Sequence, residues 1–140
     1  MEIDIKTNFK NKIPFTDRQK ILARIGKTLS DNIEKRTEFQ NVDYKGKKFK
    51  KYSPGYAKYR AKNNLSSTPN LVKSGQMVGS LGIVNINNNN VEVGVKGGHN
   101  EDKAEWNEGN GRQFLGVSKD DEKMIDDIVD RYVTDELNNL

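Results

Sequence analysis

The sequence contains no cysteine, and its only histidine is His99. Without cysteine the chain has no disulfide scaffold, no thiolate zinc site and no cysteine nucleophile. No apolar run approaches the ~18 residues of a membrane-spanning helix, and residues 1–4 lack the basic and apolar character of a secretory signal. We therefore expect a protein that is made in the cytoplasm of a cell.

Apolar residues are also scarce. They account for 33% of the 140 residues, while charged residues account for 31%. Domains typically run to ~100–150 residues, so we expect a single domain over residues 1–140. The low apolar content favours a subunit whose buried surface is completed by neighbouring subunits.

Motifs of catalysis and cofactor binding are missing. The sequence contains no phosphate-binding or dinucleotide-binding glycine motif, no H-E-x-x-H zinc motif and no G-x-S-x-G nucleophile motif. His99 stands beside possible metal ligands, but a lone histidine in a glycine-flanked polar loop is typical of a solvated surface. Its neighbours are Asn100, Glu101 and Asp102.

The C-terminal acids could in principle bind magnesium in a nuclease. They are Asp120, Asp121, Asp126, Asp127 and Asp130. Helix capping accounts for the first two, and the polar face of an amphipathic helix accounts for the others. We expect no enzyme activity, no cofactor and no metal site.

Charge is unevenly distributed along the chain. Residues 1–73 contain 18 Lys and Arg against 7 Asp and Glu, whereas residues 74–140 contain 6 against 13. A chain with a basic half and an acidic half attracts either a nucleic acid or another copy of itself. Composition leaves both possibilities open.

The densest basic stretch, residues 44–62, is interleaved with aromatic residues. Lysines neutralise backbone phosphates and aromatic faces stack on unpaired bases, which favours nucleic-acid binding. Alternatively, the aromatic residues pack on a core and the lysines meet acids of a neighbouring subunit. The candidates for contact with a DNA-bearing lumen or an adjacent subunit are Lys45, Lys47, Lys48, Lys50, Lys51, Lys58, Arg60 and Lys62.

Apolar periodicity predicts three elements in the first half of the chain. Alternation over residues 2–6 predicts a strand. A capping box at Thr16 begins a helix with apolar residues three or four apart, and this helix ends near Arg36. Ser53 caps a short helix that has Pro54 in its first turn.

The second half predicts a β-hairpin and a terminal helix. The strands are residues 81–86 and 91–95, joined by an asparagine turn, and a loop follows as far as Glu105. Residues 112–117 read as a short strand or extended segment, and Ser118 caps an acidic, amphipathic helix. These elements predict an α+β fold, with a small antiparallel sheet packed against the N-terminal and C-terminal helices and a short third helix.

Two apolar features have predicted positions. Phe114 and Leu115 are expected to pack inside the subunit. Trp106 is interpreted as a core-edge aromatic before a turn and as a possible interface anchor, because tryptophan is enriched at binding hot spots, and the two roles are not exclusive.

Two segments, in this order and spacing, resemble the phage virion morphogenesis (tail completion) proteins of the Mu-like type. One is Leu71 followed by Ser74-Gly75-Gln76-Met77 and Ser80-Leu81, and the other is Arg112-Gln113-Phe114-Leu115-Gly116-Val117-Ser118. The resemblance covers about residues 44–140. It implies a non-catalytic structural protein of the virion neck or tail end, which forms a ring, often sixfold, around the DNA channel.

Two hypotheses follow for function. The first is a homo-oligomeric ring, expected to be hexameric, that contacts other neck and tail proteins and passing genomic DNA. The alternative is a small nucleic-acid-binding protein without sequence preference that uses residues 44–62. A basic half and an acidic half suit the first, because a ring joins one face of the subunit to a different face of its neighbour.

Overall fold

The computed structural model describes residues 2–6, 15–69, 76–87 and 90–138. The strands are β1 (Glu2–Lys6), β2 (Leu81–Ile86) and β3 (Asn90–Val95). The α-helices are α1 (Phe15–Lys35), α2 (Pro54–Lys62), α3 (Gln76–Gly79), α4 (Gly98–Gly109) and α5 (Lys119–Asn138). The predicted α+β fold is confirmed.

The sheet is antiparallel, with the strand order β1-β3-β2. Its central strand, β3, buries Val91, Val93 and Val95, which the alternating pattern placed on one face. The predicted hairpin is confirmed, and Asn88 and Asn89 of its turn lie outside the described residues. Strand β1 extends the sheet through pairs such as Ile3 with Val93.

Strand β2 contains a bulge that changes the simple alternation. Ile83 pairs with Val93, but Asn85 pairs with Glu92, so Val84 is an extra residue on this strand. Strict alternation would place Asn85 on the same face as Ile83. The bulge instead turns Ile86 toward the core, against which it packs, and leaves Asn85 exposed.

Helix α1 lies across the sheet on its predicted apolar stripe. The buried residues of the stripe are Ile21, Leu22, Ile25, Leu29 and Ile33. Gly26 permits the close approach, because a β-carbon there would lie 2.7 Å from the Ile83 side chain. The side chain of the predicted cap, Thr16, is outside the described part of the structure.

A π-helical turn, Arg36–Gln40, follows α1 and ends it close to the predicted position. Asn41 closes this turn in a left-handed conformation (φ 58°), and its N–H donates to the Arg36 carbonyl over 2.9 Å. Asparagine tolerates this conformation better than most residues. Chain reversal at this point brings the following basic segment back onto the core.

The loop predicted as far as Glu105 is wrong, since α4 occupies most of it. Gly97 bends the chain (φ 90°), and the helix then rests on a narrow stripe of Ala104 and Asn107. A stripe this narrow contains too few apolar residues to give the sequence the three-to-four-residue apolar spacing that predicts a helix. His99 is therefore in the first turn of α4, where it is exposed.

Residues 112–117 form no strand in the described structure and run as an irregular segment between α4 and α5. Phe114 and Leu115 are buried in the core, as predicted. The Ser118 cap is also confirmed. The Asp121 N–H donates to Ser118 Oγ and the Ser118 N–H donates to Asp121 Oδ2, both over 3.0 Å, which makes a reciprocal capping box.

The predicted apolar stripe of α5 packs against the core and is only half-buried. Its residues there are Met124, Ile125, Ile128, Val129 and Tyr132. Within the described ranges, no helix combines the length and apolar character needed to cross a bilayer.

Candidate interaction surface

The basic loop, residues 43–51, has a fixed turn organised by Asp43. This buried side chain accepts hydrogen bonds at Oδ1 from the N–H groups of Lys45 (2.9 Å) and Lys47 (2.8 Å). The Asp43 N–H donates in turn to the Lys47 carbonyl over 2.7 Å, and Gly46 takes the positive φ (84°) that the turn requires. The lysines at the tip are therefore carried on an ordered backbone.

The basic loop is anchored on the core at two points. Phe49 is buried, and its N–H donates to the Asn41 carbonyl over 3.0 Å. The Tyr44 N–H donates to the Gln113 carbonyl over 3.3 Å. The Tyr44 ring lies so close to Gly116 that a β-carbon at that glycine would overlap it.

Arg112 fixes the end of the basic loop. Its buried guanidinium donates from Nε to the Lys50 carbonyl (3.0 Å) and from Nη2 to the Lys51 carbonyl (3.3 Å). Both lysine side chains remain exposed. A β-carbon built on Gly111 would lie 3.9 Å from the Lys50 stem, so that lysine passes directly over the turn after α4.

Arg60 is an internal residue, which corrects its prediction as a contact residue. It is 1% exposed, and its Nε donates to the Ser66 carbonyl over 2.6 Å. Its guanidinium lies over the Tyr52 ring, 4.9 Å from the ring centre, and Arg112 lies over the same ring at 4.8 Å. Cation–π contacts thus join α2 to the segment that follows α4.

The other predicted basic residues are exposed. They are Lys45, Lys47, Lys48, Lys50 and Lys51 of the basic loop, together with Lys58 and Lys62 of α2. The loop brings the first five together on one short segment.

The aromatic residues of this stretch have structural roles. Phe49 is buried, Tyr52 is covered by two guanidinium groups, and the Tyr52 and Tyr56 rings meet in a T-shaped arrangement with their centres 5.0 Å apart. Tyr59 stacks on Tyr56 at 6.0 Å and is 44% exposed. Phe49, Tyr52 and Tyr56 are therefore engaged within the subunit, which argues against the stacking of bases on these three rings.

Trp106 is one of the exposed large apolar residues of the subunit. It lies on α4 with 59% of its surface exposed, and the Arg112 guanidinium is 5.6 Å from its ring. Arg112 therefore contacts Trp106 and also holds the backbone of Lys50 and Lys51. This arrangement links an exposed indole, through Arg112, to the backbone of two exposed lysines.

Glu108 has a perturbed titration beside the basic loop. Its carboxylate accepts a hydrogen bond from the Leu115 N–H over 2.9 Å. Burial raises the pKa of Glu108, and the Asp43 carboxylate raises it further, while the bond from Leu115 opposes both.

Exposed acids line the outer face of α5. Glu122, Asp126 and Asp130 follow one another at four-residue spacing, so they form a single row. We call these three residues the acidic row. Like charges at this spacing destabilise a helix, and no described residue forms an ion pair with the row within 4.0 Å.

Asp121 is unlike the acids around it. It is buried, and it accepts from Arg36 Nη1 over 2.8 Å and from Asn32 Nδ2 over 3.2 Å. Its role is therefore to join α1 to α5. Among the residues with described positions, no group of three or more His, Asp or Glu side chains is arranged to hold a metal ion.

The residues that organise this surface, Asp43 and Arg112, were not identified from the sequence. The Asx-turn pattern of Asp43-Tyr44-Lys45-Gly46, an aspartate followed by a glycine, is the local signal from which this turn could have been predicted. No local signal identifies Arg112, because its partners Lys50 and Lys51 are about 60 residues away along the chain.

Residues 6–134 match the phage virion morphogenesis family. The match covers most of the chain, and the protein belongs to this family. Membership implies a virion-associated protein with a structural or morphogenetic role in the phage, since the family is of a structural type. The segment from Leu71 to Leu81 carries part of the family resemblance, and its residues 71–75 lie outside the described residues. No curated protein and no solved structure matches the chain.

Proposed function

We propose that this protein is a tail completion, tail terminator or neck component that forms a homo-oligomeric ring around the DNA channel at the head–tail junction. Its role is structural and involves no catalysis. Family membership supports the phage role, and the separation of charge on the folded subunit supports the ring.

The observation that carries the ring is the presence of two exposed surfaces of opposite charge. The basic loop carries five exposed lysines on an ordered turn, and α5 carries the acidic row. A ring is built from head-to-tail contacts, in which one surface meets a different surface of the next copy. Two surfaces of opposite charge can form such a head-to-tail contact without a large apolar interface.

The tip of the basic loop suits a second contact. Lys45, Lys47 and Lys48 are exposed on the turn that Asp43 holds. In an assembled ring these ammonium groups face either the DNA-bearing lumen or an adjacent ring of neck or tail protein. Contacts with phosphates would be independent of DNA sequence.

Deletion of the gene from the phage tests this function. Without the protein, we expect filled heads and separate tails in electron micrographs of lysates, and a plasmid copy of the gene restores joined virions. Antibody or mass spectrometry should detect the protein in purified wild-type particles. Normal joined virions from the deletion phage, or particles that lack the protein, would contradict the proposal.

Nucleic-acid binding without sequence preference is the second candidate, and the exposed lysines favour it. It predicts affinity of the purified protein for random duplex DNA with a steep dependence on salt, because phosphate contacts release counterions. This candidate depends mainly on the lysines, since Phe49, Tyr52 and Tyr56 are engaged within the subunit, whereas Tyr59 and Trp106 keep exposed ring surface.

A further inference from the structure

We infer that Trp106, Lys50 and Lys51 form a docking surface for the acidic row of α5 on a second copy of this chain. We call these three residues the Trp106 surface. The inference deepens the proposed function and rests on it, because it names the two surfaces that meet in the assembly.

The first argument for the Trp106 surface is that Arg112 orders the backbone around it. A buried guanidinium, that of Arg112, bonds the carbonyls of Lys50 and Lys51 and also lies against the Trp106 ring. The backbone of Lys50 and Lys51 is thus fixed beside the same guanidinium that lies over the Trp106 ring. Preorganised groups lose less conformational entropy when they bind.

Exposure of the indole is the second argument. Tryptophan is enriched at binding hot spots because it supplies a large rigid surface with a polar N–H. Here 59% of the residue is exposed. On α4 the exposed acids Asp102 and Glu105 outnumber Lys103 around the indole. The positive charge of this surface therefore comes from Lys50 and Lys51 of the basic loop.

The acidic row is identified as the partner of the Trp106 surface by its complementary charge. The acidic row spans residues 122–130, a rise of about 12 Å at 1.5 Å per residue, and consists of carboxylates that repel one another. Lysines from a second copy would relieve that repulsion. Half-buried apolar residues of α5, such as Ile125 and Val129, adjoin the row and offer the indole an apolar contact. The row is thus matched in both charge and apolar character.

Charge reversal in the purified full-length protein tests this pairing. The variants are K50E/K51E, D126K/D130K and the fourfold variant that combines them. W106A tests the indole. K20E/R24E is the matched control, because it makes the same charge change at exposed positions of α1. Light scattering after gel filtration gives the oligomeric state over a range of concentration and salt, and circular dichroism checks the fold.

We expect the wild type to assemble, and each double reversal to raise the dissociation constant about a hundredfold or more, since facing like charges cost several kcal/mol. The fourfold variant should regain assembly because its charges are again opposite. W106A should weaken assembly, whereas K20E/R24E should behave as the wild type.

Several results would overturn the inference. They are a wild type that stays monomeric at every concentration, double reversals that assemble normally, and a folded fourfold variant that stays apart. Loss of duplex DNA binding in K50E/K51E with unchanged assembly would assign the lysines to nucleic acid instead. If the deletion phage gives separate heads and tails while K50E/K51E assembles normally, the proposed function stands and the docking surface fails.

Discussion

At the scale of single residues, the segment that carries the family resemblance consists of residues with separate structural tasks. Arg112 positions the end of the basic loop, Phe114 fills the core, and Gly116 leaves room for the Tyr44 ring. Ser118 then caps α5. A short motif can therefore preserve a surface to which few of its own side chains belong.

Glu108 makes stability depend on pH in a predictable direction. Folding raises its pKa above the ordinary value of 4.5, so just above that value the folded protein binds more protons than the unfolded chain. The free energy of unfolding therefore falls as the pH rises through the window between 4.5 and the folded pKa. E108Q removes this contribution, because glutamine has no proton to lose.

Urea unfolding at a series of pH values measures the effect. The stability of E108Q relative to the wild type should increase with pH across that window and then level off. The variant E105Q provides the control, because it makes the same substitution at the exposed neighbouring glutamate of α4. Parallel pH profiles for E108Q and the wild type would contradict the raised pKa.

At the scale of elements, local signals predicted α1, α2 and α5, whose caps or amphipathic stripes can be read in sequence order. The end caps at Ser53 and Ser118 form the expected hydrogen bonds. Helix α4 was missed because its buried residues are Ala104 and Asn107, which form no apolar stripe that the sequence could reveal. The bulge at Val84 was missed as well, because it results from pairing with β3 and not from the composition of β2.

The junction between α1 and α5 should depend on the buried pair of Arg36 and Asp121. D121N leaves the Arg36 guanidinium without a counter-charge, and breaking a buried pair in this way costs about 3–5 kcal/mol. D120N changes the same chemical group at the exposed neighbouring position and should cost no more than ~0.5 kcal/mol. Urea unfolding of both variants measures the difference, and equal stabilities would show that the pair does not stabilise the junction.

At the scale of the whole molecule, the exposure of seven lysines could be predicted because isolated ammonium groups are rarely buried. The burial of Arg60 and Arg112 could not. Both guanidinium groups lie over the Tyr52 ring. Tyr52 is eight residues from Arg60 and sixty residues from Arg112 along the chain, so no local pattern reveals that the two arginines share it. The sequence thus indicated the charged surfaces, whereas the contacts that support them appear only in the folded chain.

Mixing the two double reversals gives a prediction about the closed assembly. K50E/K51E repels itself, and so does D126K/D130K, but each presents a surface complementary to the other. An equimolar mixture should therefore assemble with strictly alternating subunits, and such a ring closes only with an even number of copies. Native mass spectrometry would resolve the composition, and assemblies with unequal numbers of the two variants would contradict head-to-tail pairing through these surfaces.

Trp106 is the only tryptophan in the chain, and it lies on the outside of α4 within the docking surface. The intrinsic fluorescence of the protein under selective excitation thus originates from a single indole in water. Contact with another subunit would remove that water and shift the emission to shorter wavelength. The unlabelled protein consequently carries its own optical sensor of association, and the same signal can be followed in real time as rings form.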